Sequence, residues 1–399
     1  MGVGYNLATL NDLETMTGPA SQKPGARLAR AVAATGLLLV SLGLLSLVFY
    51  GYAKNIDFIG YWAAGRLMRA HSNPYSHTDL KRVEHAAGGT WKNPIVMRNP
   101  PWSLFLVIPL GYCNVLGAIF IWMALMLVAG VVSIRLLSAG SKPPPVVVYL
   151  FAPILYCAMS GQCPLFFLLG IAIYICWNES RPWLAGLALT LPAIKPHLFL
   201  LFWPIALIEC LRRRQYRVLA GAAVGLAAAY AIALAYDPHV WADYMATMRS
   251  EGIEGTYMPN IPATLRFLIP SRPGWVQILP AVLGLIWMAW FYWRHRSAWS
   301  WREQGPLLLA VSVLVSPYSW PFDQVLFLPA ILQVCAAGVG KRTLAVFIAL
   351  SAVAAVLILK IHLESPVYVW TGPAWLLWYL WARKQAPVPA QPASMLASL

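Results

Sequence analysis

Residues 113–137 read CNVLGAIFIWMALMLVAGVVSIRLL, a run of 25 residues in which Arg135 is the single charge. About 20 mainly apolar residues are enough for a helix to cross a bilayer. Outward from this run, other apolar runs recur between residues 30 and 382. The chain of 399 residues is 60% hydrophobic and only 11% charged, whereas a soluble domain carries about 25% charged residues. The sequence therefore predicts an all-α polytopic membrane protein.

The apolar runs predict about twelve transmembrane helices in a single domain, residues 29–384. Residues 1–28 and 385–399 are predicted to be disordered cytoplasmic tails. Pro192 and Pro196 break one part of the domain into half-length pieces. The predicted crossings are 30–52, 113–137, 146–160, 163–178, 182–194, 196–211, 218–236, 275–293, 305–317, 324–339, 343–360 and 367–382.

The distribution of charge predicts how the chain is oriented. The net charge of +15 would suit a nucleic-acid partner, but the cations form short clusters between apolar runs instead of one continuous face. With both termini in the cytoplasm, the sharpest clusters fall on the cytoplasmic side, as the positive-inside rule requires. The sequence thus predicts a multi-pass plasma (inner) membrane protein and no nucleic acid. Two long loops, 53–112 and 237–274, then lie outside, and function often concentrates in such loops.

The first long loop opens with residues 55–66, NIDFIGYWAAGR. Residues 58–70 are predicted to form a helix lying in the membrane interface. Asp57 stands at the membrane boundary, where partial desolvation makes a carboxylate more basic and suited to take a proton from a hydroxyl. The alternative is that Asp57 only caps the helix.

Two polar residues interrupt the apolar runs further along the chain. Gln162, in a turn between two predicted crossings, either binds a sugar hydroxyl or satisfies backbone groups at a helix end. Lys195 stands in residues 192–197, PAIKPH. A lysine at membrane depth is costly and indicates a functional site, with an anion such as a lipid phosphate as its partner. The structural alternative is a lysine whose ammonium extends to the interface.

A third polar feature is residues 316–324, SPYSWPFDQ. Asp323 heads an apolar helix and either caps its N-terminus or binds sugar hydroxyls. In the second long loop, Arg249, Arg266 and Arg272 either meet phosphate or are solvated.

The first long loop also holds a group of residue types that can ligate metals. Their spacing matches no strong metal motif, so no metal site is predicted. The residues are His71, His77, Asp79 and His85.

Together these segments resemble glycosyltransferase family 87, whose members are membrane mannosyltransferases of the GT-C superfamily that use polyprenyl-phosphate-mannose. The resemblance spans residues 30–340 and depends on the order of short motifs. These are DF…Y…AG at 57–65, NPY at 73–75, NPP at 99–101 running to PL at 109–110, GQ at 161–162, AIKP at 193–196 and SP…SW at 316–320. The chain departs from the family at Phe322 and Asp323, where many members carry histidines. A histidine role in binding donor phosphate is therefore not carried over.

The resemblance implies a GT-C-type bundle with its active site on the extracytoplasmic face and an inverting sugar transfer. The family's catalytic aspartate falls on Asp57 and its membrane-embedded lysine on Lys195. Asp57 would deprotonate the acceptor hydroxyl, and Lys195 would stabilise the departing lipid phosphate, with no cofactor or metal. The predicted donor-phosphate ligands are Lys195 and Arg266, and the predicted substrate-binding residues are Tyr61, Gln162, His197, Trp320 and Asp323.

The partners implied are a polyprenyl-phosphate-sugar donor, a lipid or glycan acceptor and membrane lipids. A rival hypothesis is a transporter or flippase of lipid-linked sugars, which explains the bundle and Lys195 but not the enlarged loops and acidic residues on one face. A second rival is a scaffold, for which Asp57 and Lys195 would be dispensable. A third is a GT-C enzyme that uses another polyprenyl-phosphate sugar.

Overall fold

The structure, a computed structural model, describes residues 56–138, 143–250, 256–362 and 364–385. These residues form helices, and no β-strand occurs among them. The α-helices are α1 Phe58–Arg69, α2 His77–Ala86, α3 Leu104–Val107, α4 Val115–Leu137, α5 Pro145–Leu150, α6 Ala152–Ser160, α7 Pro164–Trp177, α8 Pro182–Ala188, α9 Phe202–Arg212, α10 Tyr216–Tyr236, α11 Val240–Ser250, α12 Ile261–Phe267, α13 Gly274–His295, α14 Gly305–Val315, α15 Leu328–Ala337, α16 Lys341–Lys360 and α17 Thr371–Gln385. Short 3-10 segments extend several of them, including Pro101–Ser103, Ile108–Tyr112, Pro192–Ile194, Pro196–Phe199 and Pro321–Phe327.

Four of the described helical stretches are long and apolar enough to cross a membrane: Val115–Leu137, Tyr216–Tyr236, Gly274–Ala298 and Lys341–Lys360. They coincide with four predicted crossings, which confirms the all-α membrane fold class. Most other predicted crossings appear as shorter apolar helices. The predicted first crossing, 30–52, and the two predicted tails lie outside the described residues, apart from Gln385 at the end of α17.

Proline positions explain where the helices break. The predicted crossing 146–160 is not one continuous helix, because the structure has two helices, α5 and α6, separated at Phe151. Pro153 has no backbone N–H, and its ring would clash with the carbonyl four residues earlier. The break predicted at Pro192 and Pro196 is confirmed, since α8 ends at Ala188 and α9 begins only at Phe202.

Helix α1 forms as predicted, but its predicted position on the membrane surface is wrong. Ten of its twelve residues are buried within the protein. The segment 101–112 packs directly against α1 because both have glycine at the contact. A Cβ atom added at Gly65 would lie 2.3 Å from the carbonyl oxygen of Val107, and one at Gly111 would lie 2.2 Å from the carbonyl oxygen of Gly65. The close approach lets α1 serve as an internal wall.

A short extended segment, residues 95–100, crosses the same region and is here called the strap. Glu84 on α2 holds its beginning, because both carboxylate oxygens accept a hydrogen bond from the Ile95 N–H, at 3.1 and 3.2 Å. Tyr75 holds its other end by donating its hydroxyl to the Asn99 carbonyl at 2.9 Å. Glu84 is only 1% exposed, and burial raises the pKa of its carboxyl to about 7 although the Ile95 hydrogen bond lowers it.

The glycine contact gives a test of the packing around α1. We expect Gly65→Ala to destabilise the protein by about 1–3 kcal/mol, because the added methyl group meets backbone that cannot rotate away. Gly274→Ala is the matched control, since a Cβ atom there would contact no other part of the protein within 4 Å. Thermal unfolding in detergent measures both variants. Equal midpoints for Gly65→Ala and the wild type would contradict the packing of α1 against residues 101–112.

Glu84 predicts a pH dependence of stability. Its pKa is about 7 in the folded protein against 4.5 for an unperturbed glutamate, so the native state holds the extra proton between these values. Stability then falls as pH rises through this window. The neutral Glu84→Gln variant lacks this effect, so we expect it to gain thermal stability relative to the wild type between pH 4.5 and 7. Asp79→Asn, a partly exposed acid on the same helix that pairs with Arg82, is the control. Parallel curves for wild type and Glu84→Gln would refute the burial of an ionisable Glu84.

Candidate active site

A cavity of about 220 Å³ lies between α1, the strap and two proline-containing segments, 192–197 and 316–324. A water molecule takes about 30 Å³ in the liquid, so the cavity has room for roughly seven waters or a group the size of a sugar ring. It brings together six of the eight predicted site residues from distant parts of the chain. They are Asp57, Tyr61, Gln162, Lys195, His197 and Trp320.

Asp57 occupies the N-cap position of α1, but its side chain makes no capping hydrogen bond. Instead Oδ2 of Asp57 accepts a hydrogen bond from Nε2 of Gln162. The other amide atom of Gln162, Oε1, accepts a hydrogen bond from the Tyr61 hydroxyl at 2.7 Å. A carboxylate can only accept, so the Tyr61–Gln162–Asp57 chain fixes which way the amide points. The alternative of a side-chain helix cap is therefore not seen, and the catalytic role of Asp57 stays a prediction.

The turn that delivers Gln162 depends on a glycine. Gly161 ends α6 in the left-handed region, with φ of 64°, and a Cβ atom there would lie 2.6 Å from Cβ of Phe58. Glycine alone adopts this conformation at little cost. The indole N–H of Trp122 on α4 donates to the Gly161 carbonyl at 2.8 Å. Gln162 therefore reaches Asp57 from a turn that is clamped on two sides.

Burial controls the protonation of Asp57. Desolvation raises the pKa of Asp57 above its usual range, while the hydrogen bond from Gln162 and the charge of Lys195 act in the opposite direction. The carboxylate is half-buried and faces the cavity. A carboxylate with an elevated pKa is a stronger base than an aspartate in water.

Lys195 lies where the proline-rich segment leaves helical geometry, with φ of −128° and ψ of 71°. The break frees carbonyl groups that need new donors. The Asn99 amide donates to the Ile194 carbonyl at 3.2 Å, and the Trp102 indole donates to the Ala193 carbonyl at 2.9 Å. The first long loop therefore supplies hydrogen-bond donors to the free carbonyl groups of this segment, and it fixes the backbone from which Lys195 extends.

Lys195 forms a buried ion pair with Asp323, with Nζ at 3.0 Å from Oδ1. The second carboxylate oxygen, Oδ2, accepts the backbone N–H of Trp320 at 2.9 Å, so the predicted N-terminal capping by Asp323 is present. Asp323 is completely buried and does not line the cavity. The structure thus presents it as the counter-ion of Lys195, and its predicted binding of sugar hydroxyls stays a prediction.

Aromatic rings cover the wall around Lys195. The ring of His197 meets Tyr318 edge-on with centroids 5.4 Å apart, and Trp320 stacks on Phe322 at 6.2 Å. Nζ of Lys195 lies 4.9 Å from the centre of the Phe322 ring. Phe322, at the position where the resemblance leads one to expect histidine, therefore contributes an aromatic face to the ammonium group.

Arg266 is a predicted site residue that is absent from the cavity lining. It is 2% exposed, donates to the Thr256 carbonyl at 3.3 Å and does not line the cavity. Its predicted role as a donor-phosphate ligand stays a prediction. Among the further lining residues are four with polar side chains to which the sequence assigned no binding or catalytic role: Arg98, Asn99, Tyr244 and Tyr318. The sequence did not single out these side chains, because polar residues are common in loops.

Within the described parts of the chain, no group of three or more His, Cys, Asp or Glu residues is arranged to hold a metal ion. His71 contacts the Tyr236 carbonyl at 2.8 Å, and His85 contacts the Trp91 carbonyl at 3.0 Å. The metal-independent reaction stays a prediction for experiment.

Comparison with known proteins gives one match. The model of glycosyltransferase family 87 matches residues 98–317, which is 220 of the 399 residues. Neither a curated protein nor a solved structure matches the chain. The matched part contains Gln162 and Lys195, while Asp57 lies before it and Asp323 after it. With more than half of its length matched, this helical membrane protein belongs to glycosyltransferase family 87.

Proposed function

We propose that this glycosyltransferase moves a sugar, which the family resemblance identifies as mannose, from a polyprenyl-phosphate carrier to a hydroxyl of a lipid or glycan acceptor. The observation that carries the proposal is that two charged groups line the same cavity. They are the Asp57 carboxylate, which makes no capping hydrogen bond to α1, and the buried Lys195 ammonium group. A base and a cation are the two groups that transfer from a lipid phosphate requires.

Asp57 acts as the general base in the proposed reaction. Its carboxylate takes the proton of the acceptor hydroxyl while the hydroxyl oxygen attacks the anomeric carbon. The bond between that carbon and the phosphate oxygen breaks, and the phosphate leaves with the electron pair. A single displacement of this kind inverts the anomeric configuration. Gln162 holds the carboxylate in place through the hydrogen bond to Oδ2, which supports a fixed direction for proton transfer.

Lys195 stabilises the leaving group in the same step. The departing polyprenyl phosphate gains a negative charge, and a fixed ammonium group in a site of low dielectric constant stabilises that charge more than water does. Asp323 and the Phe322 ring hold the ammonium group before the donor arrives. Fixed cations make this transfer independent of a metal ion, in contrast to the transfer of nucleotide sugars.

The orientation of the bundle is part of the proposal. Helix α7 begins two residues after Gln162 and runs for 14 residues, roughly 21 Å, to the vicinity of Asn178. There Arg213 binds Glu179 and Glu209, at 2.8 and 2.6 Å. Cations mark the cytoplasmic side, so the cavity opens on the outer face of the plasma membrane. We retain about twelve crossings and cytoplasmic termini as parts of this proposal.

A transfer assay tests the function. Purified protein in lipid is incubated with radiolabelled polyprenyl-phosphate-mannose, a membrane lipid or glycan extract and EDTA. We expect the wild type to transfer label, and Asp57→Asn to lose about 100- to 10,000-fold in rate, the usual contribution of a general base. Because burial raises the pKa of Asp57, the wild-type rate is expected to fall on acidification at a higher pH than for an aspartate in water, since the base must be ionised.

Asp79→Asn is the matched control, because Asp79 is an acid of the same loop that pairs with Arg82 at 2.7 Å away from the cavity. Equal rates for Asp57→Asn and the wild type would remove Asp57 as the base. Loss of activity in EDTA would contradict the metal-independent reaction. Binding of donor without transfer would favour another acceptor or the flippase hypothesis, and a competing polyprenyl-phosphate sugar that transfers faster would replace mannose.

A further inference from the structure

A second cavity, of about 150 Å³, lies at the end of α7 opposite to Gln162. It has room for about five water molecules, so it also has room for a small charged group. Three segments form its wall: the end of α7 with the turn that follows, the turn after α9, and the residues just before α14. Its charged lining residues are Glu179, Arg213 and Arg302.

The charges around the second cavity leave one arginine without an acidic partner. Arg213 is neutralised, because it binds Glu179 at 2.8 Å and Glu209 at 2.6 Å. Glu209 also binds Arg212 at 2.8 Å, so these two acids and two arginines sum to zero. Arg302 remains, since no acidic side chain in the described part of the chain forms an ion pair with it. The second cavity therefore carries one net positive charge.

The Arg302 guanidinium group is directed to the second cavity by its contact with another lining residue. It interacts with the thiol of Cys176 on α7. A thiol is only a weak hydrogen-bond acceptor, so the positive charge is not neutralised. The backbone is fixed, because the side-chain amide of Gln333 on α15 donates to the carbonyls of both Arg302 and Glu303 at 3.0 Å. Glu303 itself does not line the cavity, and its charge acts on Tyr379 of α17 instead.

Exposed aromatic side chains indicate that the second cavity lies at the level of the lipid headgroups. Trp and Tyr are enriched where a membrane meets water. Trp183 on α8, Tyr216 on α10 and Trp293 on α13 are all exposed, and each stands within six residues of a residue that lines the cavity. Helix α7 is also short, roughly 21 Å, whereas the hydrocarbon core of a bilayer is about 30 Å thick. A group at its end therefore stays close to the membrane instead of extending into bulk water.

We propose that the second cavity binds the phosphate of an anionic membrane phospholipid, such as phosphatidylglycerol, through Arg302. Basic pockets between transmembrane helices bind headgroups of this kind. A guanidinium group presents its donors as a planar fork that matches two phosphate oxygens, and one phosphodiester charge neutralises the one unpaired arginine. The orientation proposed above puts this lipid in the cytoplasmic leaflet, away from sugar transfer. Because it joins segments at the ends of α7, α9 and α13, the bound lipid stabilises the bundle.

Thermal unfolding of the full-length protein in a neutral detergent tests this site. Dioleoylphosphatidylglycerol and dioleoylphosphatidylcholine, which have the same acyl chains, are added over a range of concentrations. A ligand that binds the folded state raises the unfolding midpoint, so we expect the phosphatidylglycerol to raise it more than the phosphatidylcholine. Arg302→Gln is expected to need about 10-fold more phosphatidylglycerol for the same shift, the loss expected for one hydrogen bond between charged groups. Arg302→Lys keeps the charge without the fork and is expected to lose less.

Arg296→Gln is the matched control, since Arg296 is an exposed arginine over the Trp293 ring that does not line the second cavity. Each shift is measured from the variant's own midpoint without lipid, so a change in basal stability does not obscure it. Equal responses of the wild type to the two lipids, or a wild-type response of Arg302→Gln, would overturn the proposal.

Two further outcomes would replace the lipid site with another explanation. An equal loss in Arg296→Gln would indicate a general attraction of anionic lipid to a positive surface. A shift with inorganic phosphate at the same concentration, dependent on Arg302, would indicate a site for a soluble anion. No sugar donor is present in these measurements, so each outcome is independent of whether the protein transfers mannose.

Discussion

The candidate site depends on the ion pair between Lys195 and Asp323, because two charges inside an apolar bundle are stable only when they meet each other. Separating one of them from its partner leaves a buried charge that costs about 3–5 kcal/mol. The pair joins residues 128 positions apart. It therefore fixes the position of residues 192–197 relative to residues 316–324. In the proposed reaction this positive group also meets the lipid phosphate, so the same ion pair would serve both the stability of the bundle and its chemistry.

The first long loop completes what the broken segments begin. Prolines free the carbonyl groups of Ala193 and Ile194, and Trp102 and Asn99 supply the missing donors. The same loop brings in Asp57 through α1, which glycine contacts hold inside the protein. The loop is therefore an integral wall of the active site. The Asp57 carboxylate and the Lys195 ammonium group line one cavity because backbone groups on one part of the chain need side-chain donors from another.

The sequence was sufficient to predict the helices, the proline break and two central residues. A lysine in an apolar run is costly at any register, so Lys195 stood out without knowledge of its neighbours, and Asp57 followed from its boundary position and the family resemblance. The burial of α1 and the pairing of Asp323 with Lys195 were not predictable. Each depends on contacts between residues far apart in the chain, which local periodicity and composition do not encode. Arg266, chosen for its charge alone, illustrates the same limit.

The central claim is that the cavity between Asp57 and Lys195 binds a polyprenyl-phosphate sugar with its phosphate toward the cations. The most direct test is a cryo-electron microscopy structure of the protein in lipid nanodiscs with a non-transferable polyprenyl-phosphate-mannose analogue. The account predicts phosphate oxygens within hydrogen-bond distance of the Lys195 ammonium group, and the sugar ring on the side of Asp57. A donor found elsewhere, for example beside Arg213 at the opposite end of α7, would contradict it.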